Sequence, residues 1–146
     1  MSAEGEDTIL VVDDNPDLLF LVAESLREFS HYQVVTALDG VEGLHRYYET
    51  QPACVIIDVK MPGLDGYQLV RALRGDPETK ATPLIILSAL IQRHEQLAGL
   101  LAGADRYLTK PVTPTDLVSV IENAIAETAD QRDARQRQIV DSIEDE

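Results

Sequence analysis

The sequence CVIIDVKMPGLDG, from Cys54 to Gly66, decides the fold of this chain. Four apolar residues lead directly into one acid, Asp58, and two turn signals, Pro62-Gly63 and Asp65-Gly66, follow it. A short, continuous apolar run bounded by turns is typical of a strand that is buried on both faces. In an open α/β sheet, ligands bind at the edge where such strands end. The stretch therefore predicts that Asp58 lies at a binding edge.

Strand and helix patterns alternate five times along the chain. The predicted strands are Thr8–Val12, Tyr32–Ala37, Cys54–Ile57, Leu84–Leu87 and Arg106–Thr109, and the predicted helices cover about 16–29, 41–49, 67–74, 91–102 and 115–126. Asn15 before Pro16 is a good helix N-cap, and Gly103 fits a C-cap. Strict alternation predicts a parallel sheet with helices on both faces. Right-handed crossovers make it a doubly wound, flavodoxin-like (βα)5 sandwich.

The composition narrows the classes of partner. The chain has 146 residues, a formal net charge of −14 and a sequence pI near 4.4. Nucleic acid as a direct partner is disfavoured because phosphate backbones require basic side chains, and an anionic membrane surface is disfavoured for the same reason. A metal cation or a basic protein surface remains compatible. The polar, acidic N-terminus is unlike a signal peptide, and we expect a cytoplasmic protein.

The chain divides into three parts. We expect residues 1–7 to be a disordered lead-in and residues 8–126 to form the single domain. Residues 127–146 are rich in acids and poor in large apolar residues until Ile139. They are interpreted either as a solvated acidic tail or as an extension of helix five that ends in a small apolar patch for a partner or a second copy.

Polar side chains follow four of the five predicted strands. These residues are Asp13 and Asp14, Asp58, Ser88 and Lys110. The carboxyl ends of parallel strands share one edge of the sheet, so three carboxylates, a hydroxyl and an ammonium are expected to converge there. Each signal is weak alone, since an Asp pair before a helix is more often a cap. Their joint placement is what indicates a site.

The predicted cluster calls for a cation. Two carboxylates 4 Å apart repel by roughly 4 kcal/mol at an effective dielectric constant of about 20. Mg²⁺ suits an open, all-oxygen site with one or two carboxylates and several waters. Zn²⁺ is disfavoured because the only cysteine, Cys54, is inside a strand and His31, His45 and His94 lie on different elements.

Mg²⁺, a lysine and a hydroxyl beside one carboxylate are typical of a phosphoryl site. The metal and the lysine would hold the phosphoryl oxygens while the carboxylate acts as nucleophile. The sequence has no Walker A loop and no GxGxxG motif, so a nucleotide donor is not indicated.

The chain resembles the response-regulator receiver domains of two-component signalling from about residue 8 to residue 126. The stretches that carry the resemblance are ILVVDDNPD (Ile9 to Asp17), ALDGVEGL (Ala37 to Leu44), VIIDVKMPGLDG (Val55 to Gly66), PLIILSA (Pro83 to Ala89) and AGADRYLTKPV (Ala102 to Val112). Each motif is modest, and together they are very specific. The resemblance implies the strand order 2-1-3-4-5.

The resemblance also implies a role for each site residue. Asp58 would be the phospho-acceptor. Asp14 and Asp58 would bind Mg²⁺ together with the backbone carbonyl of Lys60, and Asp13 would hold metal-bound water. Ser88 would bind phosphoryl oxygens, and Lys110 would pair with the phosphate. Two further residues complete the set: Pro111 would follow a cis peptide bond, and Tyr107 would turn inward as Ser88 moves towards phosphate.

A population shift follows from these implied roles. The phosphoryl donor would be a histidine kinase or a histidine phosphotransfer protein. Phosphorylation would repack helix four, strand five and helix five, and that face would meet an unknown downstream protein. Homodimers are expected through this face or through the C-terminal helix. The protein would not be an enzyme in the ordinary sense, although it would catalyse its own phosphorylation and slow self-dephosphorylation.

Helix one departs from the family pattern at Leu19 and Phe20, positions that are often polar in receivers. The run Leu18 to Val22 exceeds what one buried stripe requires. We therefore predict that Leu19 and Phe20 form a docking surface for the phosphodonor, with local packing as the alternative.

Two other functions remain open. An aspartate-nucleophile phosphohydrolase of the haloacid-dehalogenase type would need Asp-x-Asp after strand one, where the chain has Asp13 and Asn15. A phosphorylation-independent interaction module would not need the intact set of acids, serine and lysine. A receiver, alone or within a longer chain, is the function that the sequence favours.

Overall fold

Five parallel strands form a single sheet at the centre of the structure. The computed structural model describes residues 8–58, 66–79, 81–89, 93–127 and 129–144. The strands are β1 (Thr8–Val12), β2 (Gln33–Ala37), β3 (Cys54–Ile57), β4 (Leu84–Ser88) and β5 (Arg106–Thr109). The helices are α1 (Pro16–Phe29), α2 (Gly40–Thr50), α3 (Gly66–Gly75), α4 (Arg93–Ala102), α5 (Pro114–Ala126) and α6 (Ala129–Glu144). The strand order β2-β1-β3-β4-β5 confirms the predicted doubly wound fold.

The two faces of the sheet carry separate apolar clusters. Alternate residues of a strand point to opposite faces, so Val55 and Ile57 pack on one side of β3 and Cys54 and Ile56 on the other. The first cluster includes side chains of α2 and α3, and the second includes side chains of α1 and α5. Burial raises the pKa of the Cys54 thiol, which makes it an unreactive core residue.

Local signals at the helix ends agree with the sequence. The Asn15 side chain accepts hydrogen bonds from the backbone N–H groups of Asp17 and Leu18, at 3.0 and 3.2 Å. Thr113 caps α5 in the same way by accepting from Asp116 at 3.2 Å. Gly103 has φ +122° directly after α4, a conformation that favours glycine. The Asn15 and Thr113 caps position the loops after β1 and β5, which carry polar residues at the edge of the sheet.

The C-terminal residues differ from both sequence interpretations. α5 ends at Ala126, and Glu127 has extended backbone with φ −66° and ψ 129°. Residues 129–144 then form a separate helix, α6, rather than an acidic tail or a continuation of α5. The reason is electrostatic, because Arg132 and Arg135 of α6 reach the buried carboxylate of Asp105. Residues 1–7 lie outside the described residues, so the predicted lead-in remains a prediction. None of the helices described is long and apolar enough to cross a bilayer.

α4 lies unusually close to β4 and β5 at Gly99. A Cβ atom built on Gly99 would lie 2.6 Å from Cδ1 of Ile86 and 2.9 Å from Cδ2 of Tyr107. Ile86 and Tyr107 are direct neighbours in the sheet. The missing side chain therefore lets the helix rest on the Tyr107 ring.

Replacing Gly99 with alanine tests this close approach. We expect Gly99→Ala to lower the free energy of unfolding by about 1–3 kcal/mol, because the added methyl group overpacks the contact between α4 and the sheet. Denaturant unfolding measures the change. Gly75→Ala is the matched control, since nothing lies within 4 Å of its Cβ position at the end of α3. Equal destabilisation by both substitutions would contradict the packing argument.

Candidate functional site

The polar residues singled out at the strand ends meet at one edge of the sheet. Asp13 and Asp14 follow β1, Asp58 follows β3, Ser88 ends β4 and Lys110 follows β5. The parallel register brings these positions together, because each strand surfaces at the same edge.

Backbone hydrogen bonds continue past the strand ends and hold the site residues. The N–H of Asp58 donates to the carbonyl of Val12 at 2.9 Å, and the N–H of Lys110 donates to the carbonyl of Ser88 at 2.8 Å. The main chain is thus ordered up to the residues that carry the functional groups.

Three carboxylates form a compact cluster. One oxygen from each of Asp13, Asp14 and Asp58 lies within 4.8 Å of the others. Asp13 is buried, Asp58 is half-buried and Asp14 is exposed. Carboxylates at this separation repel by several kcal/mol where the local dielectric constant is low, about 4 kcal/mol per pair at 4 Å and an effective value of 20. The cluster therefore needs positive charge to be stable.

Lys110 supplies part of that charge. Its Nζ lies 3.0 Å from Oδ2 of Asp13 and 3.6 Å from Oδ2 of Asp58. Oδ1 of Asp13 accepts a further hydrogen bond from the backbone N–H of Asn15 at 3.0 Å. One ammonium against three carboxylates leaves two negative charges. Asp14 is the acid of the cluster on the exposed side.

A divalent cation with a preference for oxygen fits this arrangement. The residual charge of the four groups is that of two carboxylates, and the donors are carboxylate oxygens, which Mg²⁺ prefers. No histidine or thiol belongs to this cluster of described residues, which disfavours zinc. The residues present therefore suit Mg²⁺, with Asp13, Asp14 and Asp58 as candidate holders.

The two predicted switch residues lie beneath the site and beside it. Ser88 is buried at the end of β4. Tyr107 is half-buried on β5, on the face of the sheet that α4 covers, while Leu108 packs with the opposite cluster. Its ring contacts the backbone of Gly99, as the Cβ distances above imply. The Lys110–Pro111 peptide bond is cis. Lys60 lies outside the described residues.

The predicted docking pair on α1 requires a correction. Leu19 is only 5% exposed and belongs to the core between α1 and the sheet, so it is not available to a partner. Phe20 is 62% exposed, and Leu21 is 59% exposed. The apolar surface on α1 therefore consists of Phe20 with Leu21 and, in part, Leu18.

A groove beside Lys110 was not predicted from the sequence. It has a volume of about 290 Å³ and lies between α1 and the loop that follows β5. Its lining residues are Leu18, Leu21, Val22, Ser25, Leu87, Lys110, Pro111, Val112, Pro114 and Leu117. The signal in the sequence is the spacing of Leu18, Leu21 and Val22, a second apolar stripe on α1. What the sequence does not show is that residues 111–113 and the start of α5 lie opposite this stripe.

Comparison with known proteins agrees with the geometry. Residues 9–122 match the profile of the response regulator receiver domain. The transcriptional regulatory protein PrrA of Mycobacterium leprae is 41% identical over 114 residues, 78% of this chain and 48% of PrrA. The chain thus spans about half the length of that relative. Protein PilH of Pseudomonas aeruginosa is 37% identical over 118 residues, 81% of this chain and 97% of PilH.

A solved structure shares the fold. The crystal structure of a putative response regulator from Chloroflexus aurantiacus superposes with a TM-score of 0.78 at 38% identity, covering 82% of this chain and 98% of that one.

Removing one carboxylate from the cluster tests the fit to Mg²⁺. We expect Asp14→Asn to raise the thermal unfolding midpoint in EDTA, because it relieves repulsion with Asp58, and to abolish most of the rise that Mg²⁺ produces in the wild type. Thermal unfolding with and without Mg²⁺ measures both effects. Asp17→Asn, a change to an acid of α1 outside the cluster, should retain the full response to Mg²⁺. A full response in Asp14→Asn would mean that the ion binds elsewhere.

Proposed function

Because the chain belongs to the response regulator receiver domain family, whose members are phospho-acceptors rather than ordinary enzymes, we propose that it is a Mg²⁺-dependent signalling switch that is phosphorylated on Asp58. The observation that carries the proposal is the half-buried Asp58 carboxylate, which shares one cluster with Asp13 and Asp14 and lies 3.6 Å from the Lys110 ammonium. A carboxylate in that position can approach a phosphoryl group while the Lys110 ammonium and a bound cation offset the negative charge.

Each residue of the edge has a distinct task in the proposal. Asp13, Asp14 and Asp58 hold the ion, and the family resemblance adds the backbone carbonyl of Lys60. Bound Mg²⁺ supplies the charge that offsets the phosphoryl oxygens. An oxygen of the Asp58 carboxylate attacks phosphorus in line, the P–N bond of a phosphohistidine breaks, and the histidine keeps the electron pair.

Lys110 and Ser88 stabilise the product. The phosphoryl group itself carries up to about two negative charges and three acceptor oxygens. Because the single charge of the Asp58 carboxylate is lost on acylation, the net gain at the site is up to about one negative charge. The Lys110 ammonium already lies close to both Asp13 and Asp58, so a phosphoryl group on Asp58 would bring its oxygens within reach of it. The Ser88 hydroxyl, at the end of β4, donates to another oxygen. These contacts exist only in the phosphorylated state, so phosphorylation favours the arrangement that makes them.

The signal passes through the contact between α4 and β5. Tyr107 supports α4 at Gly99. An inward turn of the Tyr107 ring, towards space that Ser88 leaves, would remove that support and let α4 repack. The face formed by α4, β5 and α5 then presents a changed surface to a downstream protein, and it is one of two surfaces, with α6, through which homodimers are expected.

The phosphodonor is a histidine kinase or a histidine phosphotransfer protein in a cytoplasmic setting. Leu21 lines the groove that Lys110 and Pro111 help to form, and Phe20 is its exposed neighbour on α1. Lys110 in turn lies 3.6 Å from Asp58. An apolar helix of the donor would bury these side chains and bring its phosphohistidine to the acid. The net charge of −14 disfavours direct binding of nucleic acid, so DNA binding is not part of the proposal.

Phosphorylation by a small donor tests the acceptor. With Mg²⁺ and phosphoramidate, we expect intact-mass spectrometry to show one acid-stable, base-labile phosphoryl adduct that is absent in EDTA. Asp58→Ala should lose the adduct, because Asp58 is the phospho-acceptor of the proposal and the other acids of the cluster serve to hold the ion. Asp39→Asn, a change to the N-cap of α2 outside the site, should keep it.

Two results would contradict the proposal. Sustained release of phosphate from phosphate esters, dependent on Asp13 or Asp58, would indicate a phosphohydrolase. No adduct on the folded wild-type chain under these conditions would indicate an interaction module that works without phosphorylation.

Donor docking has its own test. The donor for this test is a phosphohistidine protein that phosphorylates the wild type. We expect the double variant Phe20→Ser/Leu21→Ser to slow phosphotransfer from it by at least about tenfold, the equivalent of 1.4 kcal/mol of lost apolar contact. Reaction with phosphoramidate should not change. Phe29→Ser, at the other end of α1 and 50% exposed, is the matched control. Equal slowing of both reactions would show that the double variant disturbs the site and would refute docking at this surface.

A further inference from the structure

A buried carboxylate lies at the base of β5, at the end opposite the phosphoryl site. Asp105 directly precedes β5 and its side chain is fully buried. Oδ2 accepts from the backbone N–H of Leu84 at 2.8 Å and from the guanidinium of Arg74 on α3. Oδ1 lies 2.6 Å from Nη2 of Arg135 and 2.8 Å from Nε of Arg132, both on α6. One carboxylate thus joins α3, β4, β5 and α6.

A second carboxylate completes the cluster. Glu127, between α5 and α6, accepts from Nε of Arg135 at 2.9 Å and from its Nη2 at 3.0 Å. The hydrogen bond with Arg135 lowers the pKa of the Glu127 carboxyl below its ordinary value. Nη2 of Arg106, on β5, lies 3.5 Å from Oε2 of Glu127. α6 is otherwise strongly polar, so these ion pairs, rather than apolar burial, hold it against the domain.

The cluster reaches the elements that are expected to move in signalling. Nε of Arg74 donates to the carbonyl of Gly103, the residue directly after α4, at 2.7 Å. Nη2 of Arg132 donates to the carbonyl of Ala81, ahead of β4, at 3.1 Å. β5 itself is flanked by Asp105 at this end and by Lys110 at the other, and Tyr107 lies between them. A movement of β5 or of the end of α4 therefore changes the geometry at Asp105.

The docked arrangement is imperfectly balanced. Four guanidinium groups, from Arg74, Arg106, Arg132 and Arg135, surround two carboxylates. Two buried N–H groups, Arg132 Nε and Arg135 Nη1, have no hydrogen-bond acceptor in the structure as described, and Arg132 Nε is close to Asp105 without the alignment of a hydrogen bond. Buried charge clusters tolerate little displacement, because a carboxylate that loses a partner in a low dielectric is costly. A displacement that breaks one of these ion pairs therefore weakens the contact between α6 and the domain.

From this geometry we propose that α6 is a strap across the base of β5 and α4 that stabilises the unphosphorylated arrangement, and that phosphorylation of Asp58 releases it. The inference rests on the proposed function, because it couples α6 to the same switch. Coupling between two sites is reciprocal, so a chain whose strap is loosened must bind a phosphoryl mimic more tightly.

Hydrogen exchange on the full chain tests the strap. Beryllofluoride binds a carboxylate as a phosphoryl mimic and gives an equilibrium measure of activation. We expect the amide groups of α6 to be protected in the wild type with Mg²⁺ alone and to lose protection when beryllofluoride is added. The double variant Arg132→Ala/Arg135→Ala should lack this protection from the start and should bind beryllofluoride at least about fivefold more tightly, the lower end of usual coupling strengths.

The controls separate the strap from the switch. Arg137→Ala changes an arginine on the exposed side of α6 and should behave as the wild type. Arg135→Lys keeps the charge but loses the paired contacts with Glu127 and should show an intermediate loss of protection, which covers the case that the double variant does not fold. Beryllofluoride binding with unchanged protection of α6, or equal affinity in the wild type and the folded double variant, would refute the strap and leave the proposed function intact. Failure of beryllofluoride and phosphoramidate to react with the wild type at all would refute both.

Discussion

The electrostatic balance at the carboxyl edge of the sheet is the constraint on which the rest of the structure depends. Parallel strands bring Asp13, Asp14 and Asp58 within 4.8 Å of one another, and the Lys110 ammonium offsets only one of the three charges. Such a cluster is stable with a divalent cation, and phosphorylation of Asp58 adds up to about one net negative charge and places three phosphoryl oxygens at the site. Every moving part of the proposed switch responds to that change in charge.

β5 connects this edge to the opposite end of the molecule. Lys110 follows the strand at the phosphoryl site, and Asp105 precedes it inside the arginine cluster of α6. Between them the Tyr107 ring supports α4 at Gly99, where a methyl group has no room. A four-residue strand with a charged anchor at each end is a short, stiff link, and it gives the C-terminal helix a physical route to the site.

The sequence predicted what depends on local pattern and on topology. The apolar run before Asp58, the Asn15 cap and the glycine after α4 are short-range signals, and the strand order places Asp58, Ser88 and Lys110 at one edge. The errors came from long-range packing. Leu19 was assigned to a docking surface because the periodicity of α1 does not show which apolar stripe faces the sheet. α6 was not recognised as a separate helix because its partner, Asp105, is more than twenty residues earlier in the chain and carries no pattern that marks it as buried.

The site of phosphorylation is the most direct measurement. The wild-type chain would be treated with phosphoramidate in Mg²⁺ or in EDTA, the acyl phosphate reduced with borohydride, and the modified residue located by peptide sequencing. We expect modification at residue 58 alone, and only in Mg²⁺. Modification at Asp13 or Asp14, or equal modification of Asp58 in EDTA, would contradict a switch built on one acceptor and a metal-balanced cluster.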